Sequence, residues 1–534
     1  MLPAEARVAG LQQLIDEKFY FVVHAPRQVG KTTSLLALAE SLTTSGRYAA
    51  LHTSCEVGQK LRPDLEGSIQ GILEILFSQA RRSLPVELCP PEVDRQVSPE
   101  SRLHDLLSRW AERCPRPVVL FLDEIDALYD DALLSVLRQL RSGFHNRPES
   151  FPQSVALVGL RDVRDYKIVA RNFGADGDGA DGAVLGTASP FNIKSDSLRL
   201  PNFTAAEVAD LYGQHTADTG QIFDEAVKVR AFELTQGQPW LVNALARQLV
   251  ETVVPDRART ITADDLDLAK EILIRRRDTH LDSLLDRLRE PRVRRILEPI
   301  LAGGVPGDAP EITDGPDPDL DDDLQFAKDL GLVAVGERGL EIANPIYREI
   351  IPRALTSAAE HYVPMRRAAY VRPDGTLDWQ ALLDGFVSFW QQNAEWMLRR
   401  QPYSEAAAQL VFMAFLHRLV NGIDLDAAPE SRLGVATVDR EFAVGSGRID
   451  LLVRWPVPGG PAQRFAVELK VRRDGDRDPL ADGLLQLTEY LDRLDLDHGT
   501  LLLFDLRSAA PPIPERCSKT ELEQAGRTFT VLRV

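Results

Sequence analysis

Cysteine is scarce in this chain. Four residues, Cys55, Cys89, Cys114 and Cys517, are scattered over 534 positions with no CxxC pair. That excludes a zinc ribbon and a disulfide-stapled scaffold, and it fits a reducing, cytoplasmic setting. Long hydrophobic runs are also missing. No apolar stretch reaches bilayer-spanning length, and the opening residues MLPAEARVAGLQQLIDEKF hold no apolar signal core. The expectation is a soluble cytoplasmic protein with no membrane partner. Positive charge is in deficit: Lys plus Arg number 62 against 80 Asp plus Glu, a net of −18. So acidic a chain does not coat nucleic acid, and a DNA partner would have to be met through local basic surface. A hydrophobic share of 44% with 27% charged residues excludes a mostly disordered or fibrous chain. The length suggests three or four domains.

What is present is an alternation of strands and helices. An amphipathic stretch from Val8 to Lys18 precedes an apolar strand, Phe19 to Val23. A loop, HAPRQVGKT, leads into the helical run TSLLALAESL, and YAALHTS reads as a second strand. A long polar helical segment follows, then the apolar run PVVLFLDEIDAL, a helix from Ala132 to Phe144 and a further apolar run, Ser154 to Leu160. Such alternation indicates a parallel α/β sheet. The Gly/Asp-rich stretch from Phe173 reads as a solvated loop. Asp176, Asp178 and Asp181 match a calcium loop poorly, because Thr187 stands where the closing glutamate belongs.

The segment Ala25-Pro26-Arg27-Gln28-Val29-Gly30-Lys31-Thr32 fits [AG]xxxxGK[ST], and it lies between a strand and a helix, the context a phosphate loop requires. Backbone N–H groups and the positive helix end would cradle the phosphates of ATP. Gly30 allows close approach, Lys31 supplies neutralising charge, and Thr32, with Thr33 beside it, offers a hydroxyl to Mg²⁺. The apolar run ending in Asp123-Glu124 supplies the acidic partner. Asp123 would hold the Mg²⁺ shell, and Glu124 would polarise the attacking water. The competing reading is that these carboxylates cap the next helix. Arg138, Arg141 and Arg147 are finger candidates for a neighbouring subunit in a homo-oligomer, or else a solvated helix face. Arg161 and Asp162 stand where a residue sensing the γ-phosphate would sit.

HAPRQVGKT, FLDEIDAL and Gly237-Gln238-Pro239 in ELTQGQPWLVNALA resemble the STAND and archaeal-ATPase branch of the AAA+ class over roughly residues 1–358. The resemblance implies ATP and Mg²⁺ binding, a helical lid whose Pro239 approaches the nucleotide, and a winged helix. No lid arginine of the second-sensor type stands beside Gly237. Thr204 and Glu207 form a capping box at the start of the helical region. LQFAKDLGLV followed by a hairpin turning between Gly336 and Gly339 fits the winged-helix expectation. The acidic insert before it favours packing over DNA binding.

A second constellation lies near the C-terminus. Two helical stretches, DWQALLDGFVSFWQQNAEWM and SEAAAQLVFMAFLHRLVNG, precede the strands TVDREFAVG, RIDLLVRW and RFAVELKV, a helix, and a last strand, GTLLLFDL. Alternation puts Glu468 and Lys470 on one face, and Asp450 on the preceding strand can join them. Two carboxylates and a lysine on one face suit Mg²⁺-dependent phosphodiester cleavage: the carboxylates hold the metal, and the lysine positions or deprotonates the water. Gln486, with Tyr490 one turn on, would face the same site, and Glu405 is a further carboxylate candidate. The competing reading is a surface Glu–Lys pair. The pattern GxxD…ExK…QxxxY resembles the PD-(D/E)xK nucleases over roughly residues 370–534. The combination resembles a family of prokaryotic two-part ATP-binding proteins.

Basic stretches at Arg275-Arg276-Arg277, at Arg292, Arg294 and Arg295, and at Lys470, Arg472 and Arg473 are candidates for phosphate contact with DNA, without interleaved aromatics for base reading. The central cluster equally fits a solvated helix face. The expected fold is α/β and multidomain: a P-loop AAA-like parallel sheet over 1–202, a helical lid over 203–285, a winged-helix-like domain over 286–368 and a restriction-endonuclease-like α/β domain over 369–534. The expected function is an AAA-like ATPase whose nucleotide state regulates a Mg²⁺-dependent DNA nuclease. The alternative is a nucleotide-switched scaffold with an inactive nuclease-like domain.

Overall fold

The computed structural model describes residues 7, 10–57, 64–128, 130–160, 194–276, 284, 286–301, 318–336, 339–360, 370–400, 407–420, 437–444, 447–524 and 526–534. The chain divides into two compact units.

The first unit comprises Met1–Ala246 with Arg257–Thr260 and Gln325–Leu332. Its sheet contains β1 (Tyr20–His24), β2 (Ala49–Ser54), β3 (Val118–Asp123), β4 (Ser154–Gly159) and β5 (Lys194–Arg199). All neighbours are parallel, in the order β2-β3-β4-β1-β5. Every residue of β3 and β4 is buried, as expected where helices cover both faces of a parallel sheet. Helices α1 (Leu11–Asp16) and α2 (Lys31–Thr44) share a core with Phe21, Val23, Phe121 and Val158. Helices α3 (Leu65–Ser83), α4 (Pro99–Arg113) and α5 (Asp130–Gly143) pack with Tyr20, Leu51, Leu120 and Leu157 on the other face. After β5 come α6 (Ala205–Thr219), α7 (Glu225–Thr235) and α8 (Pro239–Gln248), the last ending at the unit boundary. The capping box forms as expected: Thr204 and Glu207 each bond the other's backbone N–H. β5, with the polar sequence KSDSLR, was not expected as a strand; it is an edge strand.

The second unit comprises Arg247–Asp256, Ile261–Leu324 and Val333–Val534. It holds α9 (Ala263–Arg276), α10 (Pro291–Leu301), most of α11 (Pro318–Asp329), the antiparallel hairpin β6 (Val333–Gly336) and β7 (Gly339–Ile342), and α12 (Pro345–Glu360). Buried ion pairs fasten α9 to α12. Lys270 Nζ meets Glu349 Oε1 at 2.8 Å, and Arg353 Nη1 meets Glu271 Oε1 at 2.7 Å. Desolvation offsets much of the attraction in such buried pairs, so they are weak evidence of added stability.

Then come α13 (Trp379–Arg400), α14 (Ala407–Val420) and a six-stranded sheet. Its strands are β8 (Thr437–Val444), β9 (Gly447–Trp455), β10 (Gln463–Arg472), β11 (His498–Asp505), β12 (Ser518–Gln524) and β13 (Arg527–Arg533). Their order is β12-β13-β11-β10-β9-β8. β10, β11 and β13 are mutually parallel, and the other pairings are antiparallel. Helices α13 and α14 cover one face with Phe386, Trp390 and Phe412. α15 (Leu480–Leu494) covers the other through Leu484, Leu487 and Leu491. The chain therefore does not end its strands at β11, as the sequence reading had it. β12 and β13 extend the sheet, and β12 is exposed along its whole length.

Candidate active sites

The first site sits at the carboxyl ends of the parallel strands, where ligands bind open α/β sheets. The loop after β1 turns through left-handed residues at Gln28 (φ 58°) and Gly30 (φ 87°), then enters α2. Ser34 N–H is the first to bond back, to Gly30 O at 2.9 Å. The N–H groups of Lys31, Thr32 and Thr33 thus belong to the unbonded first turn, the anion-binding end of a helix. Within the loop Ala25 and Val29 are buried while Arg27 and Gln28 are exposed. Lys31 Nζ donates to Ala25 O at 2.6 Å and Pro26 O at 2.8 Å. Burial lowers its pKa to about 8, against the pull of Asp123 and Asp126. An anion in the loop would restore the charge that burial disfavours.

The acidic partner is close. Thr32 Oγ1 donates to Asp123 Oδ2 at 2.6 Å, joining α2 to the tip of β3. His52 Nε2 lies 3.0 Å from the same oxygen, and the N–H of Glu124 donates to Oδ1 at 2.9 Å. Burial acts upward on the Asp123 carboxyl, but the bonds from His52 and Thr32 outweigh it and hold the group below its ordinary range. Glu124 adopts φ 57°, a conformation that costs about 1–3 kcal/mol and marks sites the surroundings over-determine. Its Oε2 accepts from Ser54 Oγ at 2.5 Å. Burial raises its pKa, helped by Glu56, Asp123 and Asp126. A hydroxyl and a carboxylate in contact, beside an anion-binding loop, form a donor set suited to Mg²⁺.

His52 and Ser54 were not anticipated. Both lie on β2, in register with Phe121 and Asp123 of β3. The one signal was polar residues closing an otherwise apolar strand. Pro239 opens α8 and is buried. It is placed by Gln238, whose Oε1 accepts from Leu241 N at 2.6 Å.

Of the arginine candidates, Arg147 is occupied within the fold. Its guanidinium carbon lies 3.4 Å from the Phe144 ring centroid, and Nη1 donates to Lys18 O. Arg147 is thus engaged within its own chain, whereas Arg138 and Arg141 are exposed. Arg161, Asp162, the Asp176–Asp181 loop, Arg277 and Glu405 lie outside the described residues. Arg292 and Arg295 converge on buried Asp323 at 2.6 and 3.2 Å. That pairing engages both arginines within the fold, while Arg294 and Arg295 stay exposed.

The second site forms on the α15 face of the mixed sheet. β9 and β10 are antiparallel with Val467 opposite Leu451. One step along that register sets Glu468 opposite Asp450, and opposed residues share a face. Asp450 Oδ2 accepts from Leu469 N at 2.7 Å, and Lys470 Nζ donates to Glu468 Oε1 at 2.8 Å. Glu468 is 3% exposed, and its Oε2 is buried without a hydrogen-bond partner. Burial and the Asp450 charge raise its pKa to about 7. Burial acts downward on Lys470, but Glu468 and Asp450 carry its pKa above the ordinary value. An unbonded buried carboxylate oxygen beside a second carboxylate is what a divalent cation would satisfy. α15 lies over this face: a Cβ at Gly483 would stand 3.4 Å from Lys470 Cγ. Gln486, one turn on, is exposed and makes no hydrogen bond to the carboxylates. Among the described residues no group of three or more His, Cys, Asp or Glu side chains gathers around one point.

Three solved structures resemble the chain in part. The Walker-type ATPase of Pyrococcus abyssi shares 17% identity over 66% of this chain and 96% of its own, with a TM-score of 0.44. Thermotoga maritima RuvB, a Holliday junction branch migration motor, shares 14% over 65% and 92%, with a TM-score of 0.33. Cdc6p of Pyrobaculum aerophilum shares 13% over 68% and 95%, with a TM-score of 0.34. No family model and no curated protein matches the chain. The first unit is a five-stranded parallel sheet with the GKT motif in the loop between β1 and α2. Among the described residues no helix is long and apolar enough to cross a membrane.

Proposed function

We propose that the chain binds and hydrolyses ATP in the first unit, and that its nucleotide state regulates Mg²⁺-dependent DNA cleavage in the second. The observation that carries the ATP half is the 2.6 Å contact of Thr32 with Asp123, which joins the phosphate loop to its acidic partner. Gly30, Lys31, Thr32 and Thr33 would hold the phosphates, and Pro239 would approach the nucleotide from the lid. Thr32 and Asp123 would hold Mg²⁺, and Glu124 would orient the attacking water. The ion would neutralise charge developing on the phosphates.

The nuclease half rests on Asp450, Glu468 and Lys470 sharing one face, with Glu468 Oε2 unbonded. Those carboxylates would hold the metal, with Glu405 a further candidate ligand. Lys470 would position the water whose oxygen bonds to phosphorus as the scissile P–O bond breaks, and Gln486 would face the same site from α15. In domain terms the proposal keeps an ATPase core at 1–202, a lid at 203–285, a winged helix at 286–368 and a nuclease-like domain at 369–534. DNA would be met through Arg472, Arg473 and the exposed Arg294, and Arg138 or Arg141 would serve a neighbouring copy.

The test is a cleavage assay on linear, nicked and branched DNA, with and without ATP, for the parent, Lys31→Ala and Glu468→Ala. Glu468→Ala should bind ATP and lose cleavage; cleavage equal to the parent's removes the nuclease assignment. A second reading is a nucleotide-switched scaffold. It is favoured by the 2.8 Å contact of Lys470 with Glu468, which engages the lysine inside the chain. It predicts no cleavage under any of these conditions.

A further inference from the structure

The nucleotide reading uses the loop's own residues and leaves Arg7 unassigned. Arg7 precedes the motif by 18 positions, yet its guanidinium touches two segments far apart in sequence. Nη1 donates to Val29 O, inside the phosphate loop, at 3.0 Å. Nη2 donates to Pro201 O, just beyond β5, at 2.8 Å. The guanidinium carbon lies 4.6 Å from the centroid of the Phe203 ring. Arg7 also crowds the loop's glycine, since a Cβ at Gly30 would stand 3.0 Å from Nη1.

Phe203 is in turn fastened to the lid. Its N–H donates to Gly237 O at 2.8 Å, and Asn202 Nδ2 donates to Gln236 O at 3.1 Å. Gly237, at φ 68°, is pressed so closely that a Cβ there would lie 1.8 Å from Phe203 O. The contacts thus run without a break from Val29 through Arg7 to Pro201 and Phe203, and from Phe203 to Gly237. Glu207 bears on Arg7 electrostatically, but it is committed to the Thr204 capping box. Arg7 is spent on carbonyls and a ring, not on an ion pair.

That set of partners suits arginine alone. A planar guanidinium has five donors in a fixed fork and a face that stacks on aromatics. A lysine ammonium is a compact point charge that cannot bridge two carbonyls and lie flat on a ring together.

We infer that Arg7 is a positioning residue: it straps the phosphate loop to the root of the lid, so that the loop and the Gly237–Pro239 turn shift together. Its purpose rests on the nucleotide reading, because a loop reshaped by phosphate would pull the lid turn through Arg7. Its geometry does not, since every contact is within the chain.

Amide hydrogen exchange on the full chain tests this, first without nucleotide. Arg7→Ala should speed exchange about tenfold at both 27–30 and 236–241, as expected for losing a charge-assisted hydrogen bond. Peptides from β3 and α4 should be unchanged, and Arg7→Lys should fail to restore protection at 236–241. Unchanged exchange at 236–241 in a folded Arg7→Ala overturns the strap. Should Arg7→Ala not fold, Phe203→Leu, which removes only the ring, must raise exchange at 236–241; no change there also overturns it. With ATP and Mg²⁺, protection in the parent should reach both segments, and in Arg7→Ala it should stay on the loop. If ATP protects neither segment in the parent, the nucleotide reading fails, and the nucleotide-free comparison still decides the strap.

Discussion

Gly331 packs against Pro26 of the phosphate loop, and only glycine fits there. Its φ is 72°, and a Cβ would stand 2.9 Å from Pro26 Cγ and 3.0 Å from Pro26 Cβ. The turn that holds it is closed by Gly331 N–H to Lys328 O at 3.0 Å and Leu332 N–H to Ala327 O at 3.1 Å. Arg199 Nη2, at the end of β5, donates to Lys328 O at 3.2 Å. The loop is therefore braced on one side by Arg7 and on another by this turn.

Gly331→Ala should destabilise the first unit by roughly 1–3 kcal/mol, the cost of a strained left-handed residue. It should also weaken ATP binding, because Pro26 must yield. Gly331→Asn tolerates the backbone angle but keeps the clash, so its affinity loss should match that of alanine. Urea unfolding and titration with a fluorescent ATP analogue check both effects. Full ATP affinity in Gly331→Asn would show that the contact does not set the loop.

His52→Ala should act through Asp123. The carboxylate is 2% exposed, and the substitution leaves Oδ2 with Thr32 as its remaining hydrogen-bond donor. Under-satisfying a buried carboxylate costs roughly 1–3 kcal/mol. Loss of a partner that orients a metal-holding carboxylate typically weakens metal affinity by about 10–100-fold. The Mg²⁺ concentration needed for half-maximal ATP hydrolysis should rise by that factor, with ATP binding measured in EDTA little changed. An unaltered Mg²⁺ dependence would contradict the role.

Glu468 gives a pH dependence of known sign. Its carboxyl, ordinarily near 4.5, is raised to about 7 by burial and Asp450. The folded chain therefore keeps a proton that the unfolded chain releases first. The associated stability is complete below about pH 4.5 and is lost as pH rises through 7. Glu468→Gln carries no such charge, so it should exceed the parent in stability by roughly 1–3 kcal/mol at pH 8 and equal it near pH 4.5. Denaturant melts at the two pH values decide this, and a difference that does not change with pH contradicts it.

Divalent metal should reverse that cost. A cation held by Asp450 and Glu468 binds only the folded state, so at one hundred times its dissociation constant it adds about 2.7 kcal/mol. Mg²⁺ or Mn²⁺ should raise the unfolding temperature of the second unit in the parent but not in Glu468→Gln. Equal shifts in both would place the metal elsewhere.

Some of this was legible from residues alone, for physical reasons. β1, β3 and β4 are doubly covered and read as unbroken apolar runs, so their existence and the parallel character of the sheet could be taken from the sequence, but not the strand order. β5 and β12 are edge strands, and KSDSLR and SKTELEQ carry the polar side chains an edge tolerates, which erases the alternation signal. Glu468 and Lys470 share a face by strand periodicity, but facing Asp450 depends on the β9–β10 register. His52 and Arg7 could not be found this way. Their partners lie 71 positions away for His52 and 22 and 194 positions away for Arg7, so only the folded chain brings them together.

The most direct test of the central claim is a calorimetric titration of ATP with Mg²⁺ into the full parent chain and into Lys31→Ala. The parent should bind one nucleotide per chain. Loss of the buried ammonium should weaken binding by about a hundredfold, in line with the worth of charge-assisted contacts. Equal affinity in the two proteins, or no binding by the folded parent, would contradict a phosphate site at Gly30, Lys31 and Thr32.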